Sequence, residues 1–200
     1  MTKQEIRKLI KSRAAAFTRY REASFAICTK ILASSQFKAA EVILAYMGLP
    51  DEADLSHLIQ TALQQNKKVY IPKVFPETNT IEFYRYFAAT LTAPGNYGIQ
   101  EPTFASHANT QNAPEQFHPE TETAPALILV PGRAFTADGR RLGRGKGYYD
   151  RYLARLNKKA GTSGTTTPAV TLAGVCLPFQ LLEDLPADAH DIRMDFIFQE

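Results

Sequence analysis

Cysteine is scarce in this chain: 200 residues contain only Cys28 and Cys176, far apart and outside any Cys-x-x-Cys pair. The four histidines are not clustered either, which argues against a structural zinc site or a disulfide framework. Both thiols read as buried groups of a reducing compartment. Long apolar runs are also missing, and nothing approaches the ~20 residues needed to span a bilayer. Met1 to Arg13 is charged and lacks the apolar centre of a signal peptide. These absences predict a soluble, cytoplasmic protein with no membrane partner. No convincing Ser-His-Asp or Cys-His combination is present, so covalent catalysis through a protein nucleophile has no obvious carrier.

Neither sign of charge dominates, since the chain carries a net +3. The charge is unevenly placed, however. Residues 133 to 159 hold nine Lys/Arg against two Asp, a local +7. A nucleic-acid binder usually spreads basic charge along a face. Concentration around one segment favours a small anionic ligand, and no nucleic-acid partner is expected.

Hydrophobic spacing organises the rest. Ile6, Ile10, Phe17, Ile27 and Ile31 recur near helical spacing and predict one or two helices over residues 3 to 34. Val42 to Met47 reads as a buried strand. Asp54 or Ser56 caps a helix carrying Leu55, Leu58, Ile59 and Leu63, which stops near Asn66. Val69 to Ile71, ending at Pro72, is a second strand, and Ile81 to Phe87 a third. Leu127 to Val130, a helix from Tyr148 to about Asn157, Val170 to Cys176 and Phe196 to Phe198 complete the set. The predicted fold is α/β: a mostly parallel central sheet flanked by helices in three layers, one domain over residues 1 to 200. Residues 103 to 125 and 158 to 168 read as dispensable surface loops.

The basic segment follows the apolar run Leu127 to Val130 and Pro131-Gly132. Gly139, Gly143, Gly145 and Gly147 let the backbone approach a ligand closely, while Arg140, Arg141, Arg144 and Lys146 supply cations. A helix begins at Tyr148, with Asp150 in its first turn. Backbone amides, cations and a helix N-terminus together suit a phosphate. The usual nucleotide motifs are nonetheless absent. For a Walker A loop, Arg140 stands where the first Gly belongs and Gly147 where the hydroxyl belongs; the two-residue spacing of Gly143, Gly145 and Gly147 breaks Gly-x-Gly-x-x-Gly.

The string Val130-Pro131-Gly132, Phe135, Gly139, Arg141 to Asp150 and Tyr152-Leu153 closely resembles the signature of the 5-formyltetrahydrofolate cyclo-ligase family. Lys3 and Arg7, Asp51-Glu52, Tyr70-Ile71-Pro72-Lys73, and His190-Asp191 with Asp195 match further family segments in order. The resemblance implies conversion of 5-formyltetrahydrofolate, with or without a polyglutamate tail, to 5,10-methenyltetrahydrofolate using ATP and Mg2+; a monomer is expected. It implies that Lys3, Arg7, Arg141, Gly143, Arg144, Gly145, Lys146, Gly147, Tyr148 and Tyr149 bind ATP, with Arg144 and Lys146 as the catalytic cations. Glu52 is the folate candidate, with Met47, Tyr148 and Tyr149 beside it. Asp150 and Asp191 are the implied magnesium pair, with Asp195 an alternative to Asp191. Tyr97 to Pro102 resembles another family segment, without an assignable role.

Two other readings carry less. A sugar-phosphate isomerase or acyl-CoA transferase relative needs a Glu nucleophile or an Asp/Lys set at the strand ends, which Glu52 alone does not supply. An Arg-Gly nucleic-acid segment predicts repeats and interleaved aromatics in a tail, whereas this single copy lies between a strand and a helix.

Overall fold

The computed structural model describes residues 1–95, 98–103, 115–119, 121–159, 170–188 and 191–200, with the backbone alone for 157–159. Tyr97, His107 and His190 lie outside the described residues, as does most of the expected loop 158 to 168. The helices are α1 (Lys3–Ala16), α2 (Tyr20–Ala33), α3 (Ser35–Ala39), α4 (Ser56–Gln64) and α5 (Tyr148–Lys159). The strands are β1 (Val42–Leu44), β2 (Lys68–Phe75), β3 (Thr80–Tyr86), β4 (Thr92–Pro94), β5 (Gln100–Pro102), β6 (Ala126–Val130), β7 (Ala134–Phe135), β8 (Arg141–Leu142), β9 (Val170–Cys176) and β10 (Phe196–Gln199).

Six strands form a mixed sheet in the order β10-β9-β6-β1-β2-β3. All neighbours run parallel except the edge strand β3, which is antiparallel to β2. β6 is buried at every position, as expected for a strand covered on both faces. Alternation along β1 sorts the core. Ile43 and Ala45 join a cluster with Ile27 and Ile31 of α2 and Leu58 of α4. Val42 and Leu44 face the opposite side, with Phe83 of β3 and Tyr152 and Leu153 of α5. Each fully buried aliphatic side chain contributes roughly 1.5–3 kcal/mol, so both faces are held strongly.

The segment 3 to 34 is two helices, separated after Ala16. Thr2 and Glu5 form a capping box at the start of α1: Thr2 Oγ1 accepts from the Glu5 amide at 3.2 Å and Glu5 Oε2 from the Thr2 amide at 2.7 Å. Ile6 and Ile10, one turn apart, then pack on Ala134 and Leu142 of the β7–β8 hairpin. That docking brings Arg7, on the same helix, to the basic loop. At α4, Asp54 Oδ1 accepts from the Ser56 amide at 2.9 Å, and Asn66 adopts a positive φ of 58° just past the helix end, as expected of Asn at such an exit.

Three expectations need correction. β2 does not end before Pro72 but continues to Phe75. β1 covers only Lys68 to Tyr70, so Pro72 falls where β2 has one strand neighbour, a position that tolerates a missing amide donor. The glycine–arginine segment is not a continuous loop, because β7 and β8 pair within it. Residues 103 to 125 are not dispensable surface throughout: Phe117 is 2% exposed and packs edge-on against Tyr70, whose hydroxyl donates to Glu115 Oε1 at 2.8 Å.

Candidate active site

The parallel strands β1, β2 and β6 deliver their carboxyl ends to one cavity of about 450 Å3. This is where ligands of such sheets bind, and the size suits a small organic molecule. Tyr46, Met47, Leu49 and Glu52 follow β1; Pro72 and Val74 belong to β2; Pro131 and Gly132 follow β6. Gly143, Arg144, Lys146 and Gly147 come from the basic loop, and Tyr148, Tyr149 and Asp150 from the first turn of α5. Ile81, Ile99 and Glu101 complete the lining.

The backbone of the loop requires glycine at defined points. Gly147 has φ +70°, and a Cβ there would lie 2.7 Å from Arg151 Nη1. Arg151 closes the loop by donating to the Lys146 carbonyl at 2.8 Å. Gly139 has φ +90°, and its Cβ would fall 2.2 Å from the Met194 carbonyl oxygen. Only glycine permits that approach.

Ion pairs organise the polar rim. Arg144 Nε donates to Glu52 Oε1 at 2.9 Å, and its Nη2 also pairs with Asp51 Oδ1. Arg133 takes the other Asp51 oxygen, and Glu52 Oε2 accepts from the Leu49 amide at 3.1 Å. Arg141 donates to the Pro131 carbonyl at 3.0 Å, pairs with Asp150 Oδ1 and stacks over the Tyr149 ring at 5.9 Å. Among the described residues, no ion pair or hydrogen bond engages the side chain of Lys146, which is exposed.

Burial shifts the groups around this rim. Desolvation raises the Tyr149 hydroxyl, and the nearby Glu52 charge raises it further; its oxygen has no hydrogen-bond partner among the described residues. Burial opposes ionisation of Asp51, but hydrogen bonding and charge from Arg144 and Arg133 outweigh it and hold the carboxyl below its ordinary 3.8. A depressed folded-state value contributes stability that is present above the unfolded value and lost as pH falls through the folded one. Asp51→Asn is therefore expected to flatten the loss of stability below pH 3.8. Urea midpoints measured from neutral to acid pH check this, and an unaltered acid slope would exclude the pair from the acid response.

The whole chain, residues 1–200, matches the model of the 5-formyltetrahydrofolate cyclo-ligase family. The chain belongs to that family. It is a ligase. A probable 5-formyltetrahydrofolate cyclo-ligase of Schizosaccharomyces pombe is 31% identical over 176 residues, covering 86% of this chain and 81% of the relative. The 5-formyltetrahydrofolate cyclo-ligase of Haemophilus influenzae is 32% identical over 158 residues, 78% and 74% of the two chains. The structure of Aquifex aeolicus 5,10-methenyltetrahydrofolate synthetase superposes with a TM-score of 0.72 at 32% identity, covering 98% of this chain and 89% of that one.

Of the residues expected from the cyclo-ligase signature, Met47, Glu52, Arg141, Gly143, Arg144, Lys146, Gly147, Tyr148, Tyr149 and Asp150 line this one cavity. Lys3, Arg7, Gly145 and Asp191 do not. Arg7 Nε donates to the Gly143 carbonyl at 3.0 Å, and a Cβ on Gly145 would meet the same guanidinium, so both lie against the loop from the α1 side. Lys3 bridges Asp188 and Asp191 at 2.8 and 2.7 Å. A second cavity of about 240 Å3 contains Asp191, and Arg141 lines both cavities. Asp195 has a structural task, accepting from the Leu172 amide at 2.8 Å where β10 begins beside β9.

Sequence reasoning missed Asp51 as a clamp on two arginines, and also Ile99 and Glu101. The last two sit in the segment Tyr97 to Pro102, whose resemblance was visible without a role. A lone acid between Ile99 and Pro102 was the available signal.

Proposed function

We propose that this chain closes the folate ring in an ATP-dependent reaction, converting 5-formyltetrahydrofolate to 5,10-methenyltetrahydrofolate with release of ADP and phosphate. The observation that carries the reading is the shared cavity. Glu52, the basic loop and both tyrosines line one chamber with apolar walls, in a chain of the cyclo-ligase family. The formyl oxygen is a poor leaving group, and phosphorylation makes it a good one. Folate nitrogen 10 then attacks the activated carbon and phosphate departs. Such phosphoryl transfer rests on positioning and charge neutralisation, which cations and backbone amides supply without a protein nucleophile.

Lys146, Arg144 and the amides of Gly143 to Gly147 hold phosphate oxygens, with Arg7 behind the loop at the Gly143 carbonyl, and with Arg141 and Lys3 on the side of the second cavity. Glu52 accepts from the donor-rich pterin edge, while Met47, Tyr148 and Tyr149 pack on the ring. Among the described residues no group of three or more His, Cys, Asp or Glu could hold a metal. Asp150 lines the cavity with 35% of its side chain exposed, which suits a magnesium ion carried by the nucleotide, since such an ion commonly takes one or two carboxylates and keeps several waters. Asp150 and Asp191 would hold it, and it would neutralise phosphate charge. The protein acts as a cytoplasmic monomer.

The test follows the methenyl product's near-ultraviolet absorbance in a mixture of protein, 5-formyltetrahydrofolate and Mg-ATP. An ATP-dependent rise is expected. A flat trace with active folate and nucleotide would overturn the reading.

A further inference from the structure

Glu101 is a buried carboxylate that the roles above leave unused. It lies in β5, is 5% exposed and lines the large cavity near Val74 and Ile99. The carboxyl group rests against Gly95 across the β4–β5 hairpin. A Cβ at position 95 would come 2.2 Å from Glu101 Cδ, so the missing side chain makes room for it. Oε1 has no hydrogen-bond partner among the described residues, and Oε2 stands 3.9 Å from Lys73 Nζ. Lys73 itself donates to the Pro102 carbonyl at 3.0 Å. An unsatisfied buried acceptor costs roughly 1–3 kcal/mol, and more if charged. Lys73 and the Val74 amide of β2 engage the carboxylate but leave Oε1 without a partner among the described residues, and that oxygen calls for an account.

Glu52, in the same cavity, is the contrast. Arg144 neutralises it and the Leu49 amide takes its second oxygen, which suits a fixed binding group. Glu101 has only the more distant Lys73, 3.9 Å from Oε2. Burial raises its carboxyl above the usual range, opposed by the charge of Lys73 and by the Val74 backbone amide. Two carboxylates in one site with unlike environments are how binding and proton-transfer tasks are separated.

Resting on the ring-closure reading, we propose that Glu101 is the general base that takes the proton from folate nitrogen 10. The nitrogen lone pair forms the bond to the formyl carbon, and the nitrogen–hydrogen bond breaks with its proton passing to the Glu101 carboxylate. The bond from that carbon to the phosphorylated oxygen then breaks, and phosphate leaves with the electron pair. Glu101 releases its proton to solvent.

Glu101→Gln keeps the shape and removes the basicity. In single turnovers with enzyme in excess, ADP and the methenyl chromophore are followed in the same samples. We expect ring closure to slow by about 10²-fold while ADP formation and the folate Kd without ATP stay within about threefold of wild type. The acid limb of the closure rate against pH disappears in the variant, and Glu101→Asp recovers part of the rate. Closure at the wild-type rate, an acid limb that persists, or a folate Kd weakened in step with the rate would each overturn the proposal. If Glu101→Gln fails to fold, the wild-type profile decides: an acid limb on closure but not on ADP formation supports the base, and its absence from closure refutes it. A wild-type protein that makes no methenyl product sinks the parent reading instead, before the variant is compared.

Discussion

Replacing Lys146 with alanine is expected to lower kcat/KM for the proposed ATP-dependent reaction by about 10²–10³-fold and to leave the melting temperature unchanged. The first half follows from charge. A cation on a phosphate makes charge-assisted bonds of roughly 1.5–3 kcal/mol each, and part of that strengthens as the transferring group gains charge. The second half follows from the side chain's position: it is exposed, with no ion pair or hydrogen bond among the described residues. Arg144 is a poorer probe. Its guanidinium answers both Asp51 and Glu52, so Arg144→Ala would leave Glu52 without its cation and Asp51 with Arg133 alone, and mix a stability loss with a catalytic one. Steady-state kinetics with varied ATP, beside a thermal melt, checks the Lys146 expectation. Kinetics within about threefold of wild type would remove the loop lysine from phosphate binding.

The same contrast explains how much of the site was legible in the sequence. The strands β1, β6 and β9 were readable because burial on both faces writes a continuous apolar run. The basic loop was readable because glycine and cations concentrate there. Pro72 misled, since a breaker is informative only where the strand needs its donor, and that depends on how far β1 extends. The two-residue strands β7 and β8 are too short to leave a period. Pairings such as Arg133 with Asp51 or Arg144 with Glu52 join residues 82 and 92 positions apart, and no local pattern records them. Arg144 and Asp150 could therefore be assigned to ligands by type, while the protein groups that already hold them could not be seen.

Asp150→Ala is the sharper consequence of that gap, because two tasks meet on one carboxylate. Only 3% of the Arg141 side chain is exposed, against 35% of Asp150. Removing one partner of a buried pair costs about 3–5 kcal/mol. Water reaches the exposed part of Asp150 and reduces this to about 2–3 kcal/mol. Arg141 keeps only the Pro131 carbonyl and the Tyr149 ring as partners in the described structure. At 2–4 °C per kcal/mol for a chain of this length, melting falls by about 4–12 °C. If Asp150 also meets the magnesium carried by ATP, the Mg2+ concentration for half-maximal rate rises about tenfold, equivalent to about 1.4 kcal/mol. Asp150→Asn separates the tasks, because its amide oxygen still accepts from Arg141 while its charge is gone. The expected outcome is a melting temperature that largely recovers and a magnesium response that does not. Recovery of both would mean that Asp150 serves catalysis only by holding Arg141 between the two cavities, and the metal role would pass to other groups.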